Sequence, residues 1–217
     1  NYELKPMLSA LFKSEHFFDM LNRGCMIKNP ADHVVGSLRE MNTAFPPASD
    51  WDKSYGLWNT FYSWMVNSGQ NLHDPPNVSG MPAYYQEPSF HEIWINSDSL
   101  PKRNQFTDIM INTGYARGGF RVQFNCVAFA QTLNNPGNPN DLIDETLSIV
   151  FRNDLSAQSK AQIKSQILLT GQLYDYYWTN AWTAYVSSPT TANFNTVNTR
   201  LKSLFQYFFN LSEYQLA

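Results

Sequence analysis

The chain has 217 residues, 43% of them hydrophobic and 15% aromatic, a composition that excludes global disorder. A net charge of −3 argues against a nucleic-acid partner held by phosphate neutralisation. No run approaches the roughly 18 consecutive apolar residues of a membrane span, so none is expected. Charged residues make up only 15%, so the polar surface must draw on uncharged groups, among them 22 asparagines. One helical domain covering 1–217 is expected, large enough to bury roughly 70% of its unfolded surface without a metal or disulfide staple.

Residues 6 to 23 read as a helix. Pro6 suits its first turn, Leu8, Leu11, Phe12, Phe18 and Leu21 recur near helical spacing, and Gly24 can end it. Residues 30 to 42 form a second, with Asn29 as N-cap, Pro30 first, and Val34, Val35, Leu38 and Met41 as its apolar stripe. Residues 50 to 68 form an aromatic helix, with Asp50 as cap and Trp51, Tyr55, Trp58, Tyr62 and Met65 on one stripe. Leu57, Phe61 and Trp64 lie beside that stripe, so the helix is expected to be buried nearly all round; a sugar-stacking platform is the competing reading.

Prolines 75, 76, 82 and 88 exclude a helix over the next stretch, yet Val78, Met81, Tyr84, Tyr85 and Phe90 are too apolar for a free linker. A long ordered Pro-rich loop over 70–96 is expected, and such loops often carry function. A helix then runs from Ser97 or Ser99 to Asn112. Phe120-Arg121-Val122-Gln123-Phe124 alternates like a strand, but with no partner strand evident it is read as irregular chain passing into a short helix. Residues 134–140 are a loop, and the last third is helical. Its apolar runs include Leu142 to Val150, Ile163 to Leu168, Tyr174 to Tyr185 and Phe194 to Phe208, with Ser156 as a cap. The fold class is therefore all-α: an irregular bundle of about six to eight helices with little or no β.

No nucleophile elbow, zincin motif, Walker loop or dinucleotide fingerprint occurs, and no cofactor is called. Cys25 and Cys126 form no CxxC pair, so no metal site is called either; whether they pair with each other stays open. His16 and His33 sit among apolar residues on predicted helices and read as structural. His73, Asp74, His91 and Glu92 flank the Pro-rich loop. Folded back, they would supply a general base with its orienting acid, or metal ligands, with Arg103 as an anion clamp. Against this, Asp74 would cap a turn, Asn77 would bond backbone, and Arg103 would tie the loop to the helix that follows. Asn77, Tyr84, Tyr85 and Trp94 are the binding candidates on the same loop, since aromatic faces suit sugar rings.

Several ordered segments resemble the bacterial DUF1800 family of unknown function. Ile27-Lys28-Asn29-Pro30 with Val34-Val35-Gly36-Ser37-Leu38-Arg39 is similar to that family's lysine-x-proline helix start. Gly69-Gln70, then Pro75-Pro76-Asn77-Val78-Ser79-Gly80-Met81-Pro82, resembles its most distinctive stretch, with Met81 where the family usually has tryptophan. Trp94-Ile95 followed by Arg103, and the closing Leu211-Ser212-Glu213-Tyr214, look like further family segments. The resemblance implies an exported bacterial protein (periplasmic, cell-surface or extracellular). It also implies that this chain is the C-terminal portion of a longer one.

Three readings of function follow. The favoured one is a non-catalytic helical interaction or scaffold module, partnered by the missing N-terminal portion of the same protein or by another protein. The alternative is part of a hydrolase or metal-dependent enzyme with its site at the 70–103 loop. A glycan-binding module is a third possibility. Whether the protein is an enzyme is left open.

Overall fold

A computed structural model of the chain describes residues 3–75, 80 and 89–217. Among these residues the fold is all-α, a multi-helix arrangement with one small hairpin. Nine α-helices are described: α1 Lys5–Phe12, α2 Pro30–Glu40, α3 Trp51–Asn67, α4 Ser99–Asn112, α5 Cys126–Gln131, α6 Pro139–Val150, α7 Ala157–Ile163, α8 Tyr176–Ser187 and α9 Thr191–Asn210. A π-helical turn, Lys164–Leu168, follows α7, and a 3-10 turn, Ser212–Gln215, follows α9.

Short polar side chains start several helices. Asn29 accepts from the Asp32 N–H at 2.9 Å to open α2, and Ser156 accepts from the Ser159 N–H at 3.1 Å to open α7. Asn138 opens α6 one step earlier than the loop composition suggests, with Pro139 in the first turn. Asp50 does not cap α3; its carboxylate accepts from Lys53 Nζ at 2.8 Å instead.

The core is arranged around α9. Its Val197, Leu201, Leu204, Phe205, Phe208 and Phe209 are wholly buried against α4, α5, α8, the π turn and the C-terminal 3-10 turn. Edge-on aromatic pairs knit these layers, with Phe129–Phe205 at 5.1 Å and Phe209–Tyr214 at 4.5 Å between ring centroids. After α9 the chain returns to residues 24–28. Lys28 N–H donates to Gln215 O at 2.8 Å, Ala217 N–H to Met26 O at 2.7 Å, and Ile27 bridges Leu216. This return clamps the start of α2 onto the C-terminal turn.

Three elements differ from the sequence reading. The expected helix over 6–23 stops at Phe12; Ser14 caps a 3-10 turn, Glu15–Phe18, and Asp19 caps another, Met20–Asn22. Side-chain acceptors at Ser14 and Asp19 draw the backbone N–H groups away from an α pattern. The region around 120 does have a partner strand: β1 Tyr115–Arg117 pairs antiparallel with β2 Phe120–Val122, Tyr115 opposite Val122. Gly118 and Gly119 both have positive φ, +54° and +81°, the requirement of a tight two-residue hairpin turn.

Helix α3, finally, is not buried all round. It buries Ser54, Leu57, Phe61 and Met65, while Trp51, Tyr55 and Trp58 stand 66%, 63% and 50% exposed. The two stripes are adjacent, and only one can face the core.

Candidate functional site

The five loop-centred candidates do not meet as a set. His73 is exposed, with φ of +65°. Asp74 accepts from Asn71 Nδ2 at 2.7 Å, and Asn71 accepts from the Tyr62 hydroxyl, which fastens the start of the loop to α3. His91 and Glu92 lie on a 3-10 turn, Phe90–Trp94. His91 Nδ1 accepts from the Ile27 N–H at 3.1 Å, which leaves the proton of the neutral ring on Nε2. Glu92 is exposed; Trp94 is half-buried, and its carbonyl accepts from Ser99 Oγ at 3.0 Å. No hydrogen bond or ion pair joins any two of the five among the described residues. Nor, there, do three His, Cys, Asp or Glu side chains gather closely enough to hold a metal. Asn77, Tyr84 and Tyr85 lie outside the described residues.

Arg103 is expected as loop tie or loop clamp, and part of that loop lies outside the described residues. It shares the inward face of α4 with Phe106, Thr107 and Met110, so its guanidinium enters the protein and is wholly buried. Its Nε donates to Gln215 Oε1 at 2.7 Å, while Nη1 and Nη2 have no partner among the described residues.

Around this arginine the fold assembles a polar cluster from four further stretches. Lys28 precedes α2; His33 and Glu40 lie on α2, seven residues apart and so on one face; Arg152 follows α6; Tyr214 and Gln215 come from the C-terminal turn. Glu40 is the hub. It accepts from the Tyr214 hydroxyl at 2.9 Å and from Arg152 Nη2 at 3.3 Å, and Lys28 Nζ lies 3.9 Å away. Lys28 Nζ also stands 3.8 Å above the Tyr214 ring.

Burial dominates the ionisation of this cluster. Burial pulls the Lys28 ammonium down to about 8, partly offset by Glu40. Burial also lowers Arg103 to about 10 and, with the Arg103 charge, holds His33 well below its usual value. The Tyr214 hydroxyl is pushed well above its usual value, first by burial and then by Glu40. His33 is therefore neutral; its Nε2 lies 3.2 Å from the Arg103 carbonyl.

A cavity of about 200 Å³ opens beside Lys28, lined also by Asp32, Arg39, Glu40 and Arg152. Across Arg39 lies a mostly apolar pocket of about 510 Å³ between α2 and α3, lined by Val35, Leu38, Phe45, Trp58, Phe61 and Met65. Lys28, Glu40, Arg152, Tyr214 and Gln215 carry no chemical signal in the sequence. They are scattered over the whole chain, and no spacing rule joins them.

Fold and site together define an all-α domain built over a buried, cation-rich polar cluster. The DUF1800 family profile, a protein of unknown function, matches residues 1–216, and the chain belongs to that family. No curated protein and no solved structure matches it.

Proposed function

We propose that this DUF1800 domain acts as a helical interaction module that docks on a partner protein surface through its N-terminal arm. One observation carries the reading: the arm is apolar and exposed. Leu4, Met7, Leu8, Leu11 and Phe12 form a single helical stripe at i, i+3, i+4, i+7 and i+8, and every one is exposed. Helix α1 has no buried residue, and Phe17, Phe18, Met20 and Leu21 continue the apolar surface beyond it. Contiguous surface of this kind is uncommon on an isolated domain and marks a contact site. The spacing suits a helix laid into an apolar groove, whether that groove belongs to a further part of the same protein or to a second protein.

A photo-crosslinking amino acid at Leu8 or Phe12, in the full protein made in its own host, tests this. A single dominant adduct is expected at both positions and none at exposed Gln158 on α7. Mass spectrometry of the adduct separates a second protein from the remainder of the same polypeptide. Equal labelling at Gln158, or no adduct at Leu8 and Phe12, overturns the proposal. Export from the cytoplasm belongs to the same proposal, supported by the family resemblance alone, and fractionation of the host tests it.

A further inference from the structure

Two buried cations in this protein lack the acceptors that burial demands. The Lys28 side chain is 5% exposed, and among the described residues its ammonium donates no hydrogen bond; Glu40 at 3.9 Å is beyond hydrogen-bond range. Arg103 is wholly buried with Nη1 and Nη2 unpartnered among the described residues. The nearby carboxylate, Glu40, is already engaged by Tyr214 and Arg152. Buried cations are normally paired and hydrogen-bonded, because desolvating them alone is costly.

The cavity beside Lys28 lies where the missing acceptor would sit. Three cations line it, Lys28, Arg39 and Arg152, against two carboxylates, Asp32 and Glu40. The Asp32 carboxylate already accepts from Asn29 Nδ2 at 2.6 Å, and Arg39 has no ion pair among the described residues. The charged side chains of the lining thus sum to one net positive charge, with Ala217 completing the wall; one monoanion neutralises that sum and a phosphate dianion would overshoot it. Guanidinium forks pair bidentately with carboxylates and phosphates alike, so the charge sum, not the fork, points to a monoanion. A volume of about 200 Å³ falls below the range of drug-sized ligand pockets, so the occupant has few heavy atoms.

We infer that the cavity between α2 and the segment after α6 is a binding site for a small monocarboxylate, held by Lys28 and Arg152 with Arg39 at its mouth. The ligand carboxylate supplies the acceptor that Lys28 Nζ lacks. Glu40 keeps Arg152 oriented and, through Tyr214, keeps the aromatic floor beneath Lys28 in place. The charged and titratable groups around Lys28 are Asp32, His33, Arg39 and Glu40 from α2, Arg152 after α6, Arg103 from α4 and Tyr214 from the C-terminal turn. Lys28 is the group among these that changes charge in the mildly alkaline range.

Calorimetric titration of the protein with propionate, phosphate and chloride at constant ionic strength tests the inference. Propionate is expected to bind saturably at one site, at least tenfold more tightly than phosphate or chloride. Its affinity should fall as the pH rises from 7 to 9, because Lys28 then loses its proton. Arg152→Gln should weaken binding about tenfold while leaving the thermal midpoint close to wild type. Lys28→Met should abolish binding; should that variant fail to fold, Arg152→Gln and the wild-type pH profile decide. Equal binding of the three anions, no saturable propionate binding, a flat pH profile, or an unchanged affinity in Arg152→Gln would each overturn it.

Discussion

Lys28 is held where burial opposes its charge, and the sign of that opposition is measurable. Its folded value of about 8 lies below the unfolded value near 10.5, so between these pH values the unfolded chain binds more protons. Stability contributed by this site therefore rises with pH from about 8 towards 10. The gain is roughly 2 kcal/mol by pH 10, from 1.4 kcal/mol per pKa unit. Tyr214 and Cys126 act in the opposite sense: burial pushes the Cys126 thiol up to about 12, so stability falls once the unfolded thiol ionises near pH 9, and Tyr214 adds to this near pH 10. Urea denaturation at pH 7, 8, 9 and 10 should show wild-type stability rising relative to Lys28→Met, by roughly 2 kcal/mol at pH 10. A rise of equal size in Lys28→Met would assign the effect to another group. Nothing in the local sequence Ile27-Lys28-Asn29-Pro30 shows that this lysine is inside. The segment closing over it, Tyr214 to Ala217, lies almost the whole chain away.

At the scale of elements, local rules serve well where a helix meets its own cap, and less well where pairing is needed. Asn29 with Pro30, and Ser156, are legible as starts because their side chains act on N–H groups three residues on. The hairpin was partly legible: Gly118-Gly119 is a turn signal, but Tyr115-Ala116-Arg117 is too short to announce a strand. Gly114, just before β1, has φ of +63°, and a Cβ there would lie 2.2 Å from the Val122 carbonyl oxygen. Backbone cannot yield as a side-chain tip can. Gly114→Ala should therefore cost about 2–3 kcal/mol in chemical denaturation, while a change at Gly119, where a Cβ meets open space, should cost less. Comparable costs at the two positions would remove close approach as the reason for Gly114. In α3 the periodicity marks two apolar stripes, and the one lying against α2, α4 and β1 is the one buried.

At the scale of the whole molecule, the two ends of the chain behave oppositely. Helix α9 is packed on several sides, whereas α1 has an equally clear apolar stripe and buries none of it. Phe208→Ala should cost about 3–5 kcal/mol through the cavity it leaves. Phe12→Ala should cost less than about 0.5 kcal/mol in the isolated domain. A large loss at Phe12 would mean that the arm packs on the body of the domain, and would count against its role in docking.

The sequence alone determined the helical class, several of the caps, the loop that opens at 134 and the family resemblance, because each rests on side chains within a few residues of one another. It also placed Arg103, though not its direction. Only the tertiary structure decided which apolar stripes face inward, that Arg103 turns into the core, and that Lys28, Glu40, Arg152 and Tyr214 gather beside one cavity. The physical reason is range. Capping and turn chemistry act over about three or four residues. Burial, charge pairing and pKa shifts depend on what the rest of the fold brings close, and in this protein that is set by α9 and the return of the C-terminal turn onto residues 24–28.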